Sequence, residues 1–190
     1  MFALAASAGR VVSGGRDGTV RVWDARLRRS HGIAAAHAPA EAVAIAPGGK
    51  LAAAGFLDGT ARIYALPHGD PLARLRHDGL VLGAAFLPDG RLVTASEDRG
   101  VQVWDVDARR AAPLWAHDGP ARAVVVAPDG LVVSAGADGS LLVGRGDGKP
   151  ARADLAPAGD APLSLAVSPN GELLAVGTTR GVILMYQRIR

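Results

Sequence analysis

Histidine, aspartate and a hydroxyl residue recur together along this 190-residue chain, and acyl-transfer triads and metal sites are built from such groups. The histidines are His37, His77 and His117, spaced by 40 residues. The aspartates are Asp17, Asp58, Asp98 and Asp138, and the hydroxyls are Ser13, Thr94 and Ser134. A hydrolase would need one such group, with its nucleophile on a sharp Gly-x-Ser-x-Gly elbow. Here the group repeats at a fixed period and no such elbow occurs. It reads as a structural device, and no catalytic residue is assigned. Three histidines on successive repeats, each beside its own aspartate, do not make a shared metal site, so no metal is expected. No Gly-x-x-x-x-Gly-Lys-Ser/Thr phosphate cradle is present, and no cofactor is expected. The absence of cysteine excludes a disulfide scaffold, a thiolate nucleophile and a zinc–thiolate site.

The elements that position these residues follow from four markers with one period. The first is an Asp-Gly-type turn at Asp17-Gly18, Asp58-Gly59, Asp98-Arg99, Asp138-Gly139 and, divergently, Arg180-Gly181. Each lies between β-rich runs and predicts a hairpin with a tight primed turn. The second is a Pro-x-Gly turn at Pro47, Pro88, Pro128 and Pro169, with a shortened first copy ending at Gly9. The third is an aromatic residue six positions after the turn aspartate: Trp23, Tyr64, Trp104 and, six after Arg180, Tyr186, with Gly144 in the fourth copy. The histidines are the fourth. Alanine is abundant, but turn glycines interrupt every run before a helical period can develop. Each period therefore holds four short strands, here called a to d. A lone four-stranded sheet cannot bury both faces, and radial stacking of such sheets makes a β-propeller. The expected fold is all-β, about five four-stranded antiparallel blades in one domain over residues 1–190. The repeats run roughly 1–36, 37–76, 77–116, 117–156 and 157–190.

These markers resemble the WD-repeat family, whose repeat closes on a Trp-Asp at the end of strand c, as Trp23-Asp24 and Trp104-Asp105 do here. The resemblance implies a hydrogen-bonded set of histidine, hydroxyl, aspartate and tryptophan in each repeat. His77, Thr94, Asp98 and Trp104 supply all four. Partial sets are Ser13, Asp17 and Trp23; His37 and Asp58, with Tyr64 and with Ala54 replacing the hydroxyl; and His117, Ser134 and Asp138. The last repeat has Val176, Arg180 and Tyr186, with Pro157 or Ala158 where histidine would fall. The resemblance also implies a protein- or peptide-binding face bearing the d–a and b–c loops. Carried over by position, the candidates are Arg16, Leu57 and Glu97 before the turn aspartates, together with Ala137 and Thr179. At the start of strand a they are Glu41, Leu80, Leu82, Pro120 and Arg122.

The charge balance is modest, 21 basic against 18 acidic residues, and the basic residues are scattered. The densest cluster, Arg26, Arg28 and Arg29, lacks interleaved aromatics, so nucleic acid is not an expected partner. No apolar run is long enough for a membrane span. The apolar N-terminus lacks a basic leader region and reads as the first strand. The cytoplasm is thus favoured, with the periplasm open if the chain is a fragment. Only Lys50 and Lys149 are lysine, an arginine bias of bacterial style. Arg145-Gly146-Asp147 reads as a glycine-rich hairpin loop. Strand a near residues 2–6 and strand c near 182–186 give five a, b and c strands but four d strands, an incomplete ring. Three explanations stay open: a fragment of a longer protein, completion or self-association through a second chain, or a compact five-bladed ring or arc. The expected function is a non-catalytic protein-interaction scaffold. The alternative is a propeller module of a larger enzyme, redox or signalling protein whose catalytic domain lies outside this chain.

Overall fold

The computed structural model describes residues 3–24, 30–108, 110–145, 149–154 and 160–187. The Arg26–Arg29 cluster, Gly146-Asp147, Pro157 and Ala158 lie outside these. The described residues form 19 strands and no helix, so no helix is long and apolar enough to cross a membrane.

The strands make five antiparallel sheets. Blade 1 is β1 (Ala3–Ser7), β2 (Arg10–Gly14), β3 (Thr19–Asp24) and β4 (Ser30–Ala35). Blade 2 is β5 (Ala40–Ile45), β6 (Leu51–Phe56), β7 (Thr60–Ala65) and β8 (Asp70–Arg76). Blade 3 is β9 (Val81–Phe86), β10 (Leu92–Ser96), β11 (Gly100–Asp105) and β12 (Arg110–Ala116). Blade 4 is β13 (Ala121–Val126), β14 (Val132–Gly136), β15 (Ser140–Gly144) and β16 (Ala151–Asp154). Blade 5 has three strands, β17 (Pro162–Val167), β18 (Leu173–Thr178) and β19 (Ile183–Gln187). The expected count of strands is therefore the observed one among the described residues.

The turn type differs from the expectation. Gly18, Gly59, Arg99, Gly139 and Gly181 each donate their N–H to the carbonyl three residues back, and each has positive φ. The preceding Asp17, Asp58, Asp98 and Asp138 do not, whereas a primed two-residue turn needs positive φ at both central positions. The reason is the aspartate side chain. Each of these aspartates accepts a hydrogen bond from the backbone N–H two residues on, at Thr19, Thr60, Gly100 and Ser140. That local bond fixes a longer turn with one left-handed residue at its end.

The core lies between blades. Val12, Val20 and Val22 of blade 1 pack on Val43, Ile45 and Tyr64 of blade 2. Ala61 and Ile63 of blade 2 pack on Phe86, Leu92 and Trp104 of blade 3, and the pattern continues to blade 5. Each fully buried aliphatic or aromatic side chain contributes about 2 kcal/mol of transfer free energy, so stacking supplies what a single sheet cannot. The first strands β1, β5, β9, β13 and β17 pack successively around a common axis. No comparable packing joins β17 to β1, and the arc is not closed. Ile183 and Met185, on blade 5, are 71% and 60% exposed, where the equivalent Leu141 of blade 4 is 2% exposed and the equivalent Val143 is half-buried.

Candidate functional site

In blade 3 the four expected residues form one chain of hydrogen bonds. The Trp104 indole N–H donates to Thr94 Oγ1 at 2.7 Å, and Thr94 Oγ1 lies 2.7 Å from His77 Nε2. His77 Nδ1 lies 2.9 Å from Asp98 Oδ2. The indole can only donate, so the Thr94 hydroxyl is free to donate to Nε2, which leaves the imidazole proton on Nδ1 facing the carboxylate. Asp98 also accepts from the N–H groups of Gly100 and Asp78. Burial pushes the Asp98 carboxyl up, but its bonds from His77, Gly100 and Asp78 outweigh this and hold it below the ordinary range. Every polar atom of the set is used, and the His77 side chain is fully buried. Such a set has no open position for a substrate.

Blade 4 builds the same chain from partly different residues. His117 Nε2 lies 2.8 Å from Ser134 Oγ, and Nδ1 lies 3.0 Å from Ser140 Oγ. The Ser140 hydroxyl donates to Asp138 at 2.8 Å, which interposes it between histidine and carboxylate. Burial lowers the His117 pKa against the raising pull of Asp138. The missing aromatic at Gly144 is replaced by Trp115, from the outer strand of blade 3. Its indole N–H donates to Ser134 Oγ at 2.8 Å. A Cβ on Gly144 would meet the Trp115 ring at 3.2 Å, so the glycine makes room for the indole. Sequence reasoning missed this exchange, although a tryptophan two residues before His117 and a glycine at the aromatic position were both visible.

Blades 1 and 2 depart further. In blade 1, Trp23 donates to Ser13 Oγ at 2.9 Å, and Asp17 holds Thr19. In blade 2, His37 is exposed and has no hydrogen bond with Asp58 or another described residue, which corrects its expected place in a set. Two causes are visible. Ala54 offers no hydroxyl for the ring, and Asp58 is taken by Arg62 at 2.8 Å and by Arg74 at 3.6 Å. The Arg62 guanidinium lies 4.6 Å from the Phe56 ring centroid. Blade 5 lacks a turn aspartate, and Asp160 from the preceding loop acts in reverse. It accepts from the Thr179 hydroxyl at 2.8 Å and from the Arg180 N–H. Burial raises its pKa, but the Thr178 and Thr179 hydroxyls and the Arg180 N–H outweigh it and hold the carboxyl low.

The candidate binding residues fall into two groups. The pairing of strand a with strand b slips once in blades 2 to 5, and the skipped residues are Glu41, Leu82, Arg122 and Leu163. A β-bulge re-aims the side chain of its extra residue. These four residues line one concavity of about 510 Å³ along the axis, with Leu4 of blade 1. Glu41, Leu82 and Arg122 thus lie within the concavity, and Leu163 joins them without having been foreseen. Leu4 and Leu163 are 59% and 50% exposed. Arg16, Leu57, Leu80, Glu97 and Pro120 do not line it. They stand on turns and loops joined by backbone bonds: Leu57 N–H to Pro39, Glu97 N–H to Leu80, Ala137 N–H to Pro120 and Thr179 N–H to Ala161. In each of blades 2 to 5 this bond ties the b–c turn to the loop entering strand a, a ledge repeated blade by blade.

Fold and repeated bonds together define an all-β array of packed propeller blades, two of which carry a buried polar set. The family description "WD domain, G-beta repeat" matches residues 3–24 and 69–105. These two stretches match the WD-repeat family. It is 30% identical over 102 residues to the small ribosomal subunit protein RACK1y of Oryza sativa subsp. japonica, covering 52% of this chain and 30% of that protein. It is 30% identical over 106 residues to the guanine nucleotide-binding protein subunit beta of Schizosaccharomyces pombe, covering 53% and 34%. Subunit beta-1 of Drosophila melanogaster is 31% identical over 103 residues, covering 51% and 30%. The chain spans about a third of the length of the curated relatives it matches.

Proposed function

We propose that the chain is a protein-interaction scaffold without catalytic activity, and that it holds a partner protein or peptide at the axial concavity and its surrounding ledge. The observation that carries this reading is the repeated bulge. Four blades spend a pairing position on the same side chain, and all four side chains line one concavity. The polar sets argue for scaffold over enzyme, because their donors and acceptors are consumed in holding turns and blades together. The relatives' names point the same way: a ribosomal-subunit protein and subunits of guanine nucleotide-binding proteins are parts of larger assemblies.

The test is capture from native extract with the wild-type chain and two variants. Leu82→Asp combined with Leu163→Asp places charge in the concavity, and Arg91→Ala alters an exposed turn residue that does not line it. Proteins held by the wild type and by Arg91→Ala but lost from the concavity variant are the expected result. Equal capture by all three would refute the reading.

A further inference from the structure

Two charges in the concavity stand apart from the others near the loop face. Glu41 and Arg122 are both half-buried, yet neither side chain has a hydrogen bond or ion pair with any described residue. Arg16, Glu97, Arg99 and Arg180 on the nearby turns are exposed to solvent, and several other charges are matched within the chain. Asp58 holds Arg62 and Arg74, Asp98 holds His77, and Arg152 holds Asp118, Asp138 and Asp154. The bulged residues run Glu41, Leu82, Arg122, Leu163 through consecutive blades, so the two opposite charges flank Leu82, each one blade from it. A partly desolvated charge without a partner is unfavourable, and an incoming opposite charge removes that cost.

Resting on the reading of the concavity as a binding surface, we infer that it selects a partner segment of mixed charge: a cationic side chain for Glu41, an anionic one for Arg122, and an apolar side chain between them on Leu82. A segment of one sign meets a like charge at one of the two positions, and like-charge contact is how an interface rejects wrong partners.

The probes are three fluorescent synthetic peptides with the same leucines and differing only in charge: mixed lysine and glutamate, all lysine, or all glutamate. Fluorescence anisotropy gives their affinity for the whole 190-residue chain. The wild type is expected to bind the mixed peptide about tenfold more tightly than either other peptide at low salt. Glu41→Arg shifts the preference to the acidic peptide, and Arg122→Glu shifts it to the basic one. This readout does not depend on the direction in which a peptide lies. Glu41→Gln and Arg122→Gln, which stay polar and lose charge, narrow the preference if a reversal variant fails to fold. The same order of affinities in every variant, with binding still lost on Leu82→Asp, overturns the charge assignment alone. No binding of any peptide, or binding that Leu82→Asp leaves intact, overturns the reading of the concavity as well.

Discussion

At the scale of single residues, Thr94 is the joint of the most complete set. Its one hydroxyl accepts from Trp104 and faces His77 Nε2, all in buried surroundings. Thr94→Val keeps the shape and removes both bonds, leaving an indole N–H and a ring nitrogen without partners. We expect a loss of about 3 kcal/mol, measured by urea denaturation, since each orphaned buried group costs about 1–3 kcal/mol. Thr94→Ser should recover most of it, and a loss below that of an ordinary surface change would show that the set contributes little. Arg99 is the opposite case. It has φ of 76° at a turn position that is glycine in every other blade, and its side chain is exposed. Arg99→Gly should therefore raise stability by about 1 kcal/mol, and a fall in the denaturation midpoint would contradict this.

At the scale of elements, the exchange of Trp115 for a blade 4 aromatic ties β12 to β14 and β15. A side chain on the outer strand of one blade completes the polar set of the next, so the blades are not interchangeable units at this junction. Trp115→Leu should cost about 3–4 kcal/mol through the cavity and the lost bond. Gly144→Trp alone should also destabilise, because its ring would enter the space of the indole. Combined, the two changes restore the arrangement of blade 3, with leucine as at Leu75 and tryptophan as at Trp104. The double variant should be more stable than the sum of the single losses by more than about 1 kcal/mol in a thermodynamic cycle. Simple additivity would mean that the two positions do not share one space.

At the scale of the whole molecule, the polar sets make stability depend on pH in one direction. His117 has a folded pKa below its ordinary 6.5, so the unfolded chain takes up that proton first. Its stabilising effect is present above 6.5 and is lost as pH falls from there toward the folded value. Asp98, Asp138 and Asp160 are held below the ordinary 3.8 in the folded chain. Their effect is present above 3.8 and is lost as pH falls through the folded values. Melting temperature should therefore drop in two stages on acidification, and His117→Asn should lack the upper one. A melting temperature that rises between neutral and mildly acidic pH would contradict the assignment.

Much of the architecture was written in the sequence because turns are local. An Asp-Gly or Pro-x-Gly pair dictates a reversal within a few residues, and a period of about 40 residues repeats that instruction often enough to count strands. The set His77, Thr94, Asp98 and Trp104 was legible for the same reason, since each member sits at a fixed offset from a turn. What the sequence left undecided depends on neighbours across space. His37 fails to join a set because Arg62 and Arg74 hold Asp58 and Ala54 has no hydroxyl. Trp115 serves blade 4 because blade 4 has an empty place at Gly144. Asp160 supplies from a loop what Arg180 cannot supply from a turn. The sequence by itself determined the blades, their order and the places of their turns, through short-range backbone preferences. Only the tertiary structure decided which side chains meet between blades and which bulged residues face the axis. Those outcomes depend on packing and pairing register, which no local rule encodes.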